Sequence, residues 1–235
     1  MKLISLFMVA IMVVSCSKDD DNPPETEPQA EASCHIISTS GGLVINMTYD
    51  ETGRLKTLVN GTKKTTYFYT DNQTISATLD NGEFEEKKIM TFNENGQMVN
   101  LRIEFNQSGT EWNNEVYEYN GEQIIKSTRT SYTGSPPSVH TYVWSNGNMV
   151  TQIYNDGGSA HFEYYLDELV RPGDFFHTTY LLIFGVNPIK NTNLTKSTNF
   201  DGDEDIYTYE FDDEGKITSL ILPGSGQINY NYECD

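Results

Sequence analysis

Basic residues are scarce in this chain of 235: Lys and Arg total 15 against 34 Asp and Glu, a formal net charge of −19. A surface this acidic repels phosphate, which argues against nucleic acid as a partner. Histidine is scarce too. His35, His140, His161 and His177 never approach metal-ligand spacing, and neither H-E-x-x-H nor C-x-x-C occurs. No G-x-S-x-G elbow and no phosphate-cradling glycine loop is present, so the expectation is a non-enzyme without a cofactor. Long apolar runs are limited to residues 3–14. Twelve residues cannot cross roughly 30 Å of hydrocarbon as a helix. Apolar residues reach only 37%, yet the chain holds 15 Tyr and 12% aromatics. That is enough apolar surface for a core, which excludes disorder throughout.

The apolar run follows Lys2 and ends Val13-Val14-Ser15-Cys16. A basic start, a short apolar stretch and a small residue before a cysteine make residues 1–15 read as a secretory signal. The four residues ending at Cys16 resemble a bacterial lipobox. That resemblance implies lipidation of Cys16, the thiol being the required nucleophile, and a membrane contact through acyl chains. Next come Ser17-Lys18-Asp19-Asp20-Asp21, an acidic run that resembles the export signal of Bacteroidota surface lipoproteins. It implies an outer-membrane protein exposed on the cell surface. Residues 16–33 include the Pro-rich NPPETEPQAEAS and lack large apolar side chains after Cys16, as an extended tether should. The folded part is then expected at 34–235, and removal of residues 1–15 leaves a charge of −20.

From Leu43 onward apolar and polar residues alternate. Leu43, Ile45, Met47 and Tyr49 share a face, as do Ile75, Ala77 and Leu79; Val99, Leu101, Ile103 and Phe105; Tyr207, Tyr209 and Phe211; and Ile228, Tyr230 and Tyr232. Period-two alternation rich in β-branched and aromatic residues marks half-buried strands. A unit also recurs: an aromatic, an acid or amide, spacers, Gly, one residue, an aliphatic. It reads Tyr49-Asp50-Glu51-Thr52-Gly53-Arg54-Leu55, Phe92-Asn93-Glu94-Asn95-Gly96-Gln97-Met98 and Phe211-Asp212-Asp213-Glu214-Gly215-Lys216-Ile217, with shorter forms from Tyr119 to Ile124 and from Trp144 to Met149. Each is a hairpin turn with Gly at a φ > 0 position. Lead aromatics at Tyr49, Tyr69, Phe92, Tyr119, Trp144, Tyr165, Phe211 and Tyr232 are mostly 20–27 residues apart, which is two strands and two turns. The wider interval from Tyr165 to Phe211 reads as two units with one motif lost.

The Y-D-x-x-G-x-L unit resembles the YD/Rhs repeats of bacterial surface and toxin shells. More closely, residues 43–235 resemble an uncharacterised family of Bacteroidota lipoproteins with a porin-like, meandering β fold. The resemblance extends to Asn193-Leu194-Thr195-Lys196 and to Ile206-Tyr207-Thr208-Tyr209-Glu210-Phe211-Asp212. It implies an all-β, single-domain antiparallel meander and no particular activity.

About twelve to fourteen strands are expected, and a sheet of that width must curl, split or close into an open barrel. Lys87, Arg102, Glu104, Glu118, Lys126 and Glu163 on the non-aromatic faces disfavour a lipid-facing band. A soluble barrel wider than about eight strands needs something to fill it. Residues 175–186 (FFHTTYLLIFGV) offer a filler: Phe176, Tyr180 and Phe184 at four-residue spacing suggest a short helix or plug, and another buried strand is the alternative. Cys34 and Cys234 are the thiols left once Cys16 is lipidated, and a disulfide between them would require the first and last strands to meet.

Candidate binding residues are few. Trp112, Tyr132 and Trp144 lie near turns and could stack on sugar rings. Asp201, Asp203, Asp205 and Asp212 imitate a calcium loop, but Ile206 stands where Gly is needed, so a solvated turn is favoured. The expected function is a non-catalytic surface binding or structural module, its partner a glycan or surface protein. A polymer-degrading hydrolase and a surface assembly component are the alternatives.

Overall fold

The repeated turn is built the same way each time it occurs in full. Asp50 Oδ1 accepts the backbone N–H groups of Thr52 (2.9 Å) and Arg54 (3.0 Å). Asn93 Oδ1 does this for Asn95 and Gln97, and Asp212 Oδ1 for Glu214 and Lys216. The hydrogen bonds to Asp50, from the Thr52 hydroxyl foremost, hold its carboxyl well below the usual range. Gly53 (φ 76°) and Gly215 (φ 80°) supply the left-handed residue these turns require.

The computed structural model describes residues 34–184, 187–224 and 226–234. The expected signal segment, the expected lipidation site Cys16 and the expected tether lie outside the described residues. The strands are β1 (Cys34–Gly41), β2 (Ile45–Tyr49), β3 (Leu55–Asn60), β4 (Lys63–Tyr69), β5 (Gln73–Asp80), β6 (Glu83–Phe92), β7 (Met98–Glu104), β8 (Trp112–Asn120) and β9 (Gln123–Ser131). They continue as β10 (Ser138–Ser145), β11 (Asn148–Tyr154), β12 (Ser159–Leu169), β13 (Asn193–Phe200), β14 (Asp203–Ile206), β15 (Thr208–Phe211), β16 (Ile217–Leu222) and β17 (Gly226–Cys234). One helix, α1 (Phe175–Phe184), follows β12. The 17 strands exceed the twelve to fourteen expected, partly because Tyr207 divides one kinked strand into β14 and β15. The Tyr165–Phe211 interval holds α1 and a single repeat, rather than two plain units.

Every ladder is antiparallel and nearly all join sequence neighbours. β1 pairs with β17 from Cys34↔Cys234 to Gly41↔Ile228 and with β2 at Ser38↔Asn46, so the first strand lies between the last and the second. The ring of pairings is interrupted by a single seam, between β14, which pairs with β13, and β15, which pairs with β16. A Cys34–Cys234 disulfide joins the chain ends across the β1–β17 ladder.

A regular device holds the turn end of this barrel together. The lead aromatic is preceded by a register shift at Thr48/Tyr49, Thr91/Phe92, Glu118/Tyr119, Val143/Trp144, Glu163/Tyr164 and Glu210/Phe211. Neighbouring hairpins splay beyond that point. The β3–β4 ladder stops at Thr57↔Thr66, two residues short of Leu55. Tyr69 then donates its hydroxyl to the Leu55 carbonyl (2.7 Å). Likewise Tyr119 donates to Met98 O (2.8 Å), Trp144 Nε1 to Ile124 O (2.7 Å), Tyr164 to Met149 O (2.5 Å) and Tyr232 to Ile217 O (2.9 Å). Tyr49 does so to Ile36 O (2.7 Å). In five of the six, the acceptor is the aliphatic residue that closes the preceding turn unit. Where the lead residue is Phe92, the β5–β6 ladder runs on to Gln73↔Thr91 and no such bond is needed. Burial pushes Tyr49, Tyr69 and Tyr119 up to about 12, so they remain donors. In the twelfth strand the bonding residue is Tyr164; Tyr165, read from sequence as the lead, crosses the seam to Tyr207 O (2.9 Å).

The interior holds two apolar clusters, one around Ile45, Met47, Leu55, Tyr67 and Leu220, the other around Met90, Leu101, Tyr117, Met149 and Phe162. Phe175 of α1 packs against both. Its ring stacks on Tyr207 at 4.3 Å, and Phe176 meets Phe162 at 5.2 Å. The helix is therefore the plug. The β5 faces are inverted relative to expectation: Thr74, Ser76 and Thr78 are buried while Leu79 is 40% exposed. Inside, the Thr78 hydroxyl bonds Thr65 (2.9 Å), and the facing strand offers the Lys88–Glu86 pair; this sector of the interior is polar. Outside, Lys87 meets Glu104, Lys126 meets Glu118 and Lys196 meets Glu163 across adjacent strands.

Two stability outcomes follow. Reduction of the disulfide, or Cys234→Ser, releases a closed loop of 200 residues. The chain-entropy limit is about 5 kcal/mol, so a loss of roughly 2–5 kcal/mol is expected in urea melts with and without reductant. Tyr69→Phe leaves the Leu55 carbonyl unbonded and should cost about 1–2 kcal/mol. Tyr132→Phe, at an exposed loop position, should leave the same melt unchanged.

Candidate functional site in the barrel interior

Alternation along β8 carries Glu115, Tyr117 and Tyr119 to the interior face. Glu115 is 6% exposed. A carboxylate cannot be left bare there, and β9 supplies its partner. Arg129 stands directly opposite Glu115 and donates from Nε (3.2 Å) and Nη2 (2.8 Å), both to Oε2. β10 adds His140 and Tyr142, and β11 adds Gln152, paired opposite Tyr142. Gln152 Nε2 donates to His140 Nδ1 (3.3 Å), so the ring's proton sits on Nε2, which lies 3.4 Å from Ser138 Oγ. Burial lowers the His140 pKa and keeps the ring neutral at pH 7. Tyr142 shares a hydroxyl bond with Ser127 (3.1 Å). Together with Tyr180 of the plug and Pro188 and Ile189 beyond it, these residues enclose a cavity of about 130 Å³.

A second interior cluster anchors the plug. Asp174, fully buried, caps α1: its Oδ1 accepts the His177 N–H (2.7 Å) and its Oδ2 faces Thr195 Oγ1 at 3.4 Å. Tyr164, Tyr209 and Tyr230 surround the carboxyl. Tyr209 and Tyr230 also bond the helix directly, at the Phe175 N–H (3.4 Å) and the Thr178 hydroxyl (2.7 Å). Burial lifts Asp174 to about 6 and pushes His177 down to about 4.

The residues singled out from sequence do not gather at either cluster. Trp144 is half-buried at the turn end, its indole N–H given to Ile124 O. Trp112 and Tyr132 lie together at the opposite end, where the Tyr132 N–H bonds Trp112 O (2.9 Å). Arg102 covers the Trp112 ring at 4.8 Å, while Tyr132 is 49% exposed. These three side chains thus do not share one stacking platform. Asp203 and Asp205 are exposed on β14 beside the Asp201 turn, and Asp212 caps a turn at the other end. Among the described residues, no three His, Cys, Asp or Glu side chains converge on a position that could hold a metal ion.

No family model and no curated protein matches the sequence. Solved structures do. A crystal structure of a porin-like protein from Bacteroides uniformis aligns with 84% of this chain and 98% of its own, at a TM-score of 0.58 and 16% identity. The two share a fold. The pore of the Photorhabdus luminescens Tc holotoxin overlaps 81% of this chain but 9% of its own, at a TM-score of 0.34 and 14% identity. The alignment with the Bacteroides uniformis structure fits the porin-like meander that the family resemblance implies, and at this identity the likeness extends to the fold alone.

Glu115, Arg129, Gln152 and Asp174 carry no motif that marks them in the sequence. One signal was available: Glu115-x-Tyr117-x-Tyr119 puts a carboxylate on an aromatic face. Asp174 likewise precedes the predicted helix at its cap position.

The plug cluster has a pH signature. Native Asp174 holds its proton more tightly than the unfolded chain, so its contribution to stability declines as pH rises from about 4 to 6. Native His177 resists protonation, so its contribution grows from about pH 4 to 6.5. The two oppose one another in the same window. Asp174→Asn keeps a capping side chain and should unmask stability that rises with pH by about 2 kcal/mol. His177→Gln should unmask a fall of similar size; urea melts from pH 4 to 7 read both.

Proposed function

We propose that this chain is a lipid-anchored barrel displayed at the outer surface of a bacterial outer membrane, serving as a non-catalytic binding or structural module. The observation that carries the reading is the pairing of an outer wall that bears ion pairs among its apolar side chains with an interior occupied by a helix. Ion pairs such as Lys126–Glu118 and Lys196–Glu163 stand on the outward faces, where a membrane-spanning barrel would present a band of apolar side chains. Such a wall suits water. The interior is occupied by α1 and the tyrosines that bond it, which suits a scaffold better than an open channel.

Attachment to the membrane then falls to Cys16 and the tether. Polymer hydrolysis would call for two carboxylates facing each other across an open cleft. Glu115, the buried acid of the cavity, is held by Arg129 instead.

The test is fractionation of cells of a Bacteroides host expressing the chain. The natural sequence should appear in the outer-membrane fraction with an acylated Cys16 by mass spectrometry, and external protease should remove it from intact cells. Cys16→Ala should release it into the soluble fraction. A Cys16→Ala protein that stays membrane-integral would overturn the reading.

A further inference from the structure

We propose that the cavity beside the Glu115–Arg129 pair is a binding site for a small zwitterionic α-amino acid. The inference extends the binding-module reading but rests on the interior alone, and it stands whether or not the barrel is lipid-anchored.

The ion pair is one-sided. Arg129 spends Nε and Nη2 on one oxygen, Oε2 of Glu115. A fork that matched both carboxylate oxygens would be the fuller arrangement. Here Oε1 of Glu115 and Nη1 of Arg129 have no bonding partner among the described residues, and both residues line the cavity. One anionic acceptor and one cationic donor therefore remain beside the same cavity. They complement a molecule that carries both an ammonium and a carboxylate.

The other wall residues narrow the class. His140 is neutral, and Gln152 and Tyr142 are uncharged, so the cavity has no net charge. A simple anion would face Glu115 and a simple cation would face Arg129; a dipolar ion meets both favourably. Tyr117, Tyr142 and Tyr180 give the wall three aromatic rings. Ring faces attract an ammonium more than they attract a hydroxyl, which favours an amino acid over a polyol. Size sets the last limit. A volume of about 130 Å³ is small, which suits a compact ligand such as glycine, alanine or serine. Entry is from the Arg129 side: its side chain is 47% exposed, against 8% for that of Glu115.

The experiment is an NMR titration of the full chain in mild detergent with alanine, acetate, ethylammonium and glycerol, followed at the Arg129 Nε–H and the Gln152 side-chain amide. Alanine should shift both signals with a dissociation constant on the order of 1 mM, a fair value for so small a ligand. The three half-ligands should bind at least about tenfold more weakly, the weight of one charged contact. Glu115→Gln removes the ammonium acceptor and should abolish the alanine response. Because that change also unpairs Arg129, Gln152→Phe serves as a second variant: it fills the cavity, leaves the ion pair in place and should abolish binding in a folded protein. No alanine response, equal responses to alanine and glycerol, or binding that survives Gln152→Phe would each overturn the proposal. Loss of surface display in the Cys16→Ala protein would leave this result untouched.

Discussion

The structure depends on a hydrogen bond from an aromatic side chain to a backbone carbonyl at the edge of a splayed ladder. A wide barrel built from hairpins must open at one end wherever neighbouring hairpins diverge around their turns. Divergence strands carbonyl groups near a buried face, and each would carry the desolvation penalty of an unmet acceptor. The lead aromatic answers this locally. Its ring joins the core, and its hydroxyl or indole N–H reaches the carbonyl that the neighbouring strand has left. Phe92 shows the same logic from the other side, since the ladder beside it never opens.

Closure uses two further devices. The β1–β17 ladder makes the chain ends neighbours, and the Cys34–Cys234 bond holds them together. At the seam, where β14 pairs only with β13 and β15 only with β16, tyrosines again replace missing backbone pairs: Tyr165 reaches Tyr207 O, and Tyr209 reaches Thr195 O (2.8 Å). The plug enters beside this seam. Its cap, Asp174, and its Phe175 rest against the strands that flank it. A barrel of this width needs interior matter to pack against, and the helix supplies it where the repeat is broken.

Filling is not uniform, and the imbalance creates the candidate site. One sector of the interior is aromatic and aliphatic; another carries Lys88, Glu86, Glu115, Arg129 and a run of buried hydroxyls on β5. Polar residues survive in such a place only as bonded sets. The Glu115–Arg129 pair meets that condition, and the cavity lies beside it.

Much of this was legible beforehand. Repeated turn units announced antiparallel hairpins, their Gly and Asx positions have the turn roles expected of them, and the apolar run at 175–186 marked the plug. The buried face of β5 is not legible in the same way, because alternation reveals that two faces differ, while which one is buried depends on what the neighbouring strands enclose. Glu115 looked like one more solvated acid because its partner is 14 residues away and its burial is a property of the closed ring.

Local order in this protein is therefore a sequence property: alternation, turn chemistry and the spacing of aromatics act over a few residues and need no distant partner. Closure, the seam, the inverted face of β5 and the pairing of Glu115 with Arg129 inside a cavity were decided only by tertiary structure. Each depends on contacts between strands that come together once the ring has formed.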